Sequence, residues 1–279
     1  MSGLTTPASR TELAWIAPAA RSAHLFDSYE DLLTQWQAAP WRIRTTARGE
    51  AVVLGPWREH LDHCAILGLW CANERVPALV SDLEVVARDH GFGRLLGPLV
   101  PEGSVGPYLD AGLRVRERVL VMRRDRPRDP GATPPPAAVA IRPGTPPDLE
   151  AVRRVDAASF DDFWRYDAAG LARLVRTERL AVAVGDAGVI GYTLAQVRGG
   201  EGSLARLAVS PDSRRAGVGR ALVTEAVAWM ARMGARAVTL STQEGNAASR
   251  ALYRSLGFRE LPVALVAAIS GPLRPAEKE

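Results

Sequence analysis

The chain has 279 residues, 47% hydrophobic and 24% charged, a composition that fits about two globular domains and excludes a disordered protein. Its net charge is +4, but arginine and acidic residues are interspersed, so nucleic acid is not an expected partner. No apolar run reaches the roughly 18 residues of a membrane span, the first residues lack a secretory pattern, and Cys64 and Cys71 are the only cysteines; a cytoplasmic protein that does not engage a membrane is expected.

In the first half, SYEDLLTQW sets Ser28 and Asp31 at a capping-box-like spacing, which predicts a helix. HLDHC (His60–Cys64) puts two histidines one helical turn apart, yet no second ligand pair at zinc-site spacing follows, so no metal is expected. HCAILGLWC reads as an apolar strand, and ANERVPALV after it opens an amphipathic helix. From Gly106, GPYLDAGLRVRERVLVMRR reads as a short helix that ends at glycine, followed by an alternating strand. The stretch 123–138, RRDRPRDPGATPPPAA, has the proline content of a semi-extended linker. The expected division is a first domain over 1–125, a linker over 126–138 and a second domain over 139–279.

The second half predicts strands near 139–142, 180–185, 188–197, 203–209, 236–241 and 258–269. Helices are expected near 146–157, 167–177, 219–233 and 246–256. Tyr108 and Gly112 match Tyr253 and Gly257 at one constant offset, and the preceding strand and helix come in the same order. The halves therefore read as a duplicated unit. One difference divides them: after its strand, the second copy carries SPDSRRAGVGRALV where the first has the shorter, glycine-free ANERVPALV.

That loop joins a buried strand to a helix with Val223, Ala226, Val227 and Met230 on one face. The first N–H groups of a helix lack partners and carry the positive end of its dipole, and glycines let a ligand approach them. A phosphate or pyrophosphate suits such a corner. A dinucleotide fingerprint would need a third glycine where Leu222 stands, and a Walker loop would need Gly-Lys-Ser/Thr. The pattern Arg/Gln-x-x-Gly-x-Gly/Ala remains, as Arg214-Arg215-Ala216-Gly217-Val218-Gly219.

LARLAVSPDSRRAGVGRALV followed by EGNAASRALYRSLGF resembles the GNAT superfamily of acyl-CoA-dependent N-acyltransferases over roughly 139–270. The resemblance implies two tandem α/β domains of that type, each a mixed, mostly antiparallel sheet flanked by helices, the first diverged and non-catalytic. It implies acetyl-CoA as acyl donor, its pyrophosphate held by amides of Arg215, Gly217, Val218, Gly219 and Arg220 in the loop that Arg214 opens. It also implies backbone contacts at Leu207, Ala208 and Val209, with the N–H groups of Leu207 and Val209 facing the thioester oxygen. Asn246 and Ser249 would lie along the pantetheine arm, and Tyr253 would protonate the departing thiolate.

An amine must lose a proton before it attacks, so a base is expected. Many members carry a glutamate within the fourth strand; here Ser203 and Ala205 stand there. Glu201 and Glu244 are the substitutes, and the choice between them stays open. Asp161, Asp162 and Trp164, with Phe163 and Tyr166, fall where the family binds its acceptor; they suit either a cationic acceptor with an apolar stem or an ordinary packed corner. The expected acceptor is a small-molecule or peptide amine, and the expected assembly is a monomer or homodimer. A cysteinyl N-acetyltransferase like mycothiol synthase and a non-catalytic acyl-CoA sensor are the alternatives.

Overall fold

The structure, a computed structural model, describes residues 3–23, 25–26, 28–58, 60–127, 135–166 and 168–273; the middle of the expected linker, 128–134, and the tail, 274–279, lie outside the described residues. The chain forms two compact units, one of residues 1–118 with 265–279 and one of residues 119–264. The sequence reading assigned each strand to the half that encodes it. By contact, 119–125 go with the second unit and 265–273 with the first. The reason is pairing, as each unit's sheet shows.

The first unit contains β1 (Thr6–Pro7), α1 (Arg10–Ser22), α2 (Tyr29–Ala38), β2 (Ile43–Thr45), β3 (Ala51–Trp57), β4 (His60–Trp70), α3 (Val76–Asp89), β5 (Arg94–Leu96), β6 (Val100–Pro101) and α4 (Gly106–Asp110). Its sheet runs β1-β2-β3-β4-β5 and ends on residues 265–269 of β13 (Arg259–Ile269), where Ile269 pairs with Leu96 and Val266 with Val100. Side chains of a strand alternate between faces. Accordingly Val52 and Leu54 join the core under α3, while Ala51 and Val53 join the core under α1 and α2. The helix predicted at Ser28 is α2, and the Ser28 hydroxyl accepts the Asp31 N–H at 3.1 Å. His60–Cys64 is strand, so the helical-turn spacing imagined for its histidines does not exist there.

The second unit contains the end of β7 (Arg114–Asp125), β8 (Ala140–Pro143), α5 (Leu149–Ser159), α6 (Ala168–Thr177), β9 (Arg179–Gly185), β10 (Gly188–Arg198), β11 (Glu201–Val209), α7 (Val218–Arg232), β12 (Ala237–Gln243) and α8 (Ala247–Ser255). Residues 119–125 of β7 pair antiparallel with β12, and the sheet continues β12-β11-β10-β9-β8. Of these contacts only β11 with β12 is parallel. Tyr192 and Leu194 of β10 point into the core beneath α5 and α6, whereas Ala195 joins the core with Val223, Val227 and Met230 of α7. Each fully buried side chain of Val or Leu size contributes about 1.5–3 kcal/mol.

The two units repeat one plan in detail. In each, one strand, β4 or β11, carries a bulge against its antiparallel neighbour: Leu67 is the extra residue between the pairs Leu54–Ile66 and Val53–Gly68, and Ala205 is the extra residue between Ala195–Leu204 and Leu194–Arg206. Each short helix ends the same way. Gly112 and Gly257 take the left-handed conformation, and the next residue's N–H returns to the tyrosine carbonyl, Leu113 to Tyr108 at 3.1 Å and Phe258 to Tyr253 at 3.0 Å.

Candidate active site

β11 and β12 pair from Glu201–Ala237 to Leu204–Leu240, and there the ladder stops. Beyond it both strands continue, to Val209 and Gln243, without each other. The bulge at Ala205 bends β11 at this point, as an extra residue does in any ladder. Ser210 donates its N–H to the Ile190 carbonyl at 2.8 Å. Backbone groups of an antiparallel strand alternate sides, so Ala208 faces β10 while the N–H groups of Leu207 and Val209 face the gap. The Val209 carbonyl on that side accepts from the Ser159 hydroxyl at 3.1 Å and from Arg214 Nε at 3.2 Å.

The loop from Ser210 leads to the N-terminus of α7. Arg215 has φ of 63° and Gly217, the N-cap, has φ of 85°, so the chain turns through two left-handed residues before the helix. Among the described residues, no side chain caps α7. The first intrahelical bond runs from the Ala221 N–H to the Gly217 carbonyl, which leaves the N–H groups of Val218, Gly219 and Arg220 without helical acceptors. A group with oxygen acceptors and negative charge fits this end. Arg214, Arg215 and Ala216 are exposed, and Arg220 Nη2 donates to the Ser255 hydroxyl of α8 at 2.7 Å. Among its described residues, the first unit offers no such corner. Its α3 has Pro77, which lacks an N–H, in the first turn, and Arg75 before it is paired with Glu50 at 2.9 Å.

On α8, Asn246 is the N-cap, and its side-chain oxygen accepts the Ser249 N–H at 3.0 Å. Its NH2 group stays available to a ligand. Tyr253 is 6% exposed and shares a core cluster with Leu204 and Leu240, the last pair of the β11–β12 ladder, with its ring 6.0 Å from that of Phe258. Burial pushes its phenol above the ordinary tyrosine value, so the hydroxyl keeps its proton at neutral pH.

The two candidate bases separate. Glu201 opens β11 and is paired with Arg123 at 2.9 Å. Six residues at about 3.3 Å each put it roughly 20 Å from Leu207 along the strand. The structure therefore does not bring Glu201 to the gap. Glu244 follows β12 on the splayed side, and its carbonyl accepts from Arg250 Nη1 at 2.9 Å.

Of the acceptor-side residues, Asp161 is engaged locally, its carboxylate accepting the Trp164 N–H at 3.0 Å, and Asp162 pairs with Arg165 at 2.8 Å. Trp164 is buried and meets Phe163 edge-on at 5.2 Å. The sequence reading missed what holds this segment. Arg206 of β11 and Asp156 of α5 form a buried ion pair at 2.6 Å, and the Tyr192 hydroxyl also donates to Asp156. Burial, and the Asp156 carboxylate that accepts its hydroxyl, push the phenol of Tyr192 well up. Among the described residues no group of three or more metal-ligating side chains is found, and no helix is long and apolar enough to cross a membrane.

Residues 148–258 match the family described as Acetyltransferase (GNAT) family. A segment of 72 residues is 38% identical to the [ribosomal protein bS18]-alanine N-acetyltransferase of Escherichia coli K12, covering 26% of this chain and 49% of that one. The chain thus spans about half the length of the curated relative it matches. A GCN5-related N-acetyltransferase from Sphaerobacter thermophilus superposes with a TM-score of 0.66 at 18% identity, over 99% of this chain and 97% of the other. A tandem GNAT protein from the clavulanic acid biosynthesis pathway gives 0.61 at 17% identity, over 84% and 83%. These structures share the fold, and the splayed strands with the glycine loop occur within the matched segment. Over residues 148–258, the chain is similar to the acetyltransferase (GNAT) family.

Proposed function

We propose that the second unit transfers an acetyl group from acetyl-CoA directly to an amine of a peptide or small molecule. The observation that carries this reading is the juxtaposition on one strand–loop–helix run: the N–H groups of Leu207 and Val209 face a gap, and the uncapped N-terminus of α7 follows within the same loop. Acetyl-CoA supplies the activated carbonyl. The amides of Val218, Gly219 and Arg220 hold its pyrophosphate, and those of Leu207 and Val209 donate to the carbonyl oxygen as charge develops on it. The Tyr253 hydroxyl gives its proton to the departing sulfur, and its raised pKa keeps that proton in place beforehand. Glu244, near the splayed end of β12, takes the proton of the amine directly or through water. The first unit, without a comparable loop, has no transfer site of its own.

The curated relative's acceptor is the alanine of a ribosomal protein, which supports a peptide amine as the first acceptor to try. The test is release of free thiol from acetyl-CoA with purified full chain against peptides, polyamines, aminoglycosides, amino acids and a cysteinyl pseudodisaccharide. Saturable release with at least one amine is expected. Tight binding of acetyl-CoA with no release across the set would replace the enzyme with an acyl-CoA sensor.

A further inference from the structure

Among the described residues, Arg206 is the side chain of β11 that ties the strand to α5 and to the segment 160–166 after it. Its Nε donates to Asp156 Oδ1 at 2.6 Å and its Nη2 to Oδ2 at 2.9 Å. The same Nη2 donates to the Trp164 carbonyl at 2.9 Å. Its guanidinium carbon lies 3.6 Å from the ring centroid of Phe160 and 4.4 Å from that of Tyr166. Asp156 in turn accepts the Tyr166 N–H at 3.3 Å and the Tyr192 hydroxyl. Both charged side chains are buried, Arg206 at 7% exposure and Asp156 at 1%.

A buried ion pair of this kind adds little stability over apolar groups of the same volume, and Val152, Val155, Leu171 and Leu194 beside it show that apolar filling suits this core. What a guanidinium adds is direction. Its forked donors and its stacking on Phe160 and Tyr166 act together to favour the observed conformation of 160–166. The segment's near end is fixed to the same strand, through the Ser159 hydroxyl to the Val209 carbonyl and through Arg214 Nη2 to the Ser159 carbonyl at 3.4 Å. Strand alternation then gives β11 two jobs at once: Leu207 and Val209 turn their N–H groups to the gap, and Arg206 between Ala205 and Leu207 turns its side chain to the segment beside it.

We propose that Arg206 is a positioning residue for the acceptor, holding residues 159–166 in the one geometry that lets the amine meet the thioester held at Leu207 and Val209. This rests on the transfer reaction proposed above. Arg206→Lys keeps the charge opposite Asp156 but loses the forked pair, the stacking and the Trp164 bond. In the full chain it should raise KM for the amine about tenfold while leaving kcat and acetyl-CoA affinity within about twofold. Hydrogen exchange of the amides in 160–166 should speed up, with α7 unchanged. If Arg206→Lys fails to fold, the neutral double variant Arg206→Met with Asp156→Leu removes the pair without stranding a charge and is read the same way. Unchanged amine KM and unchanged exchange would overturn the proposal; so would a parallel loss of amine KM, kcat and acetyl-CoA binding, which marks a merely structural residue. If the wild-type chain binds acetyl-CoA but turns over no amine, the transfer reading fails by itself, and the exchange measurement still decides whether Arg206 pins the segment.

Discussion

A β-carbon on Gly219 would lie 3.5 Å from Cδ2 of Leu252, an ordinary van der Waals distance. Nothing in the protein forbids a side chain there, and Gly219 has no left-handed φ that would demand glycine. On the proposed reading, glycine there keeps the α7 amides open to a pyrophosphate. Gly219→Asp separates the two roles. An acid in the first turn of a helix stabilises it by about 0.3–1 kcal/mol, so thermal stability should hold or rise. The same charge repels a pyrophosphate, and acetyl-CoA affinity should fall at least about tenfold. Calorimetry and a binding titration on one sample read both signs.

Tyr253→Phe removes a hydroxyl that makes no hydrogen bond among the described residues, so the fold should lose little. Thiol release should fall by a factor on the order of a hundred, the usual worth of a positioned acid. Because burial raises the phenol's pKa, the wild-type rate should show no decline from tyrosine ionisation up to about pH 10, the ordinary value for that group. A decline in rate below that pH, absent from the Phe variant, would count against the assignment.

Glu244→Gln and Glu201→Gln form a matched pair. Loss of the carboxylate near the gap should slow transfer markedly below about pH 8 and less above it, where more amine is already neutral. Glu201 sits half exposed against Arg123, and an exposed pair contributes at most about 1 kcal/mol, so Glu201→Gln should match wild type in rate and nearly in stability. Equal rates for both variants would leave water alone as the proton acceptor.

Asp148 is held well below the usual carboxylate range, first by the forked pair with Arg142 and then by bonds from Thr145. Its contribution to stability is therefore complete above the unfolded carboxylate value of about 4 and is lost only as pH falls toward the lower folded value. Asp148→Asn should lower the melting temperature at pH 7, and the gap to wild type should narrow as pH falls below about 4.

The second unit was readable because local and long-range signals agree there. Apolar alternation marked β9, β10 and β11, and a glycine after an apolar strand marked the α7 start within one residue. The site's loop is a local object, and sequence shows local objects well. Arg206 and Asp156 lie fifty residues apart, and neither carries a signal by itself. A clue did exist: strand period two puts Arg206 on the face of Ala208, so a buried charge was implied and its partner was not. In the first half, α1 runs through Pro18, and Ser9 and Glu12 mark its start by a 2.7 Å capping bond. Which strand pairs with residues 119–125 or 265–269 is decided by edges far away in sequence, and no periodicity encodes that.

The last pairing of the first unit has a consequence in time. Its sheet closes on residues 265–269, which a ribosome makes only after all of 119–264. At about 5–20 residues per second, the newborn amino-terminal half waits on the order of ten seconds with β5 lacking its final neighbour. Such an open edge invites pairing with other chains. Cutting the gene between the two halves would make that wait permanent.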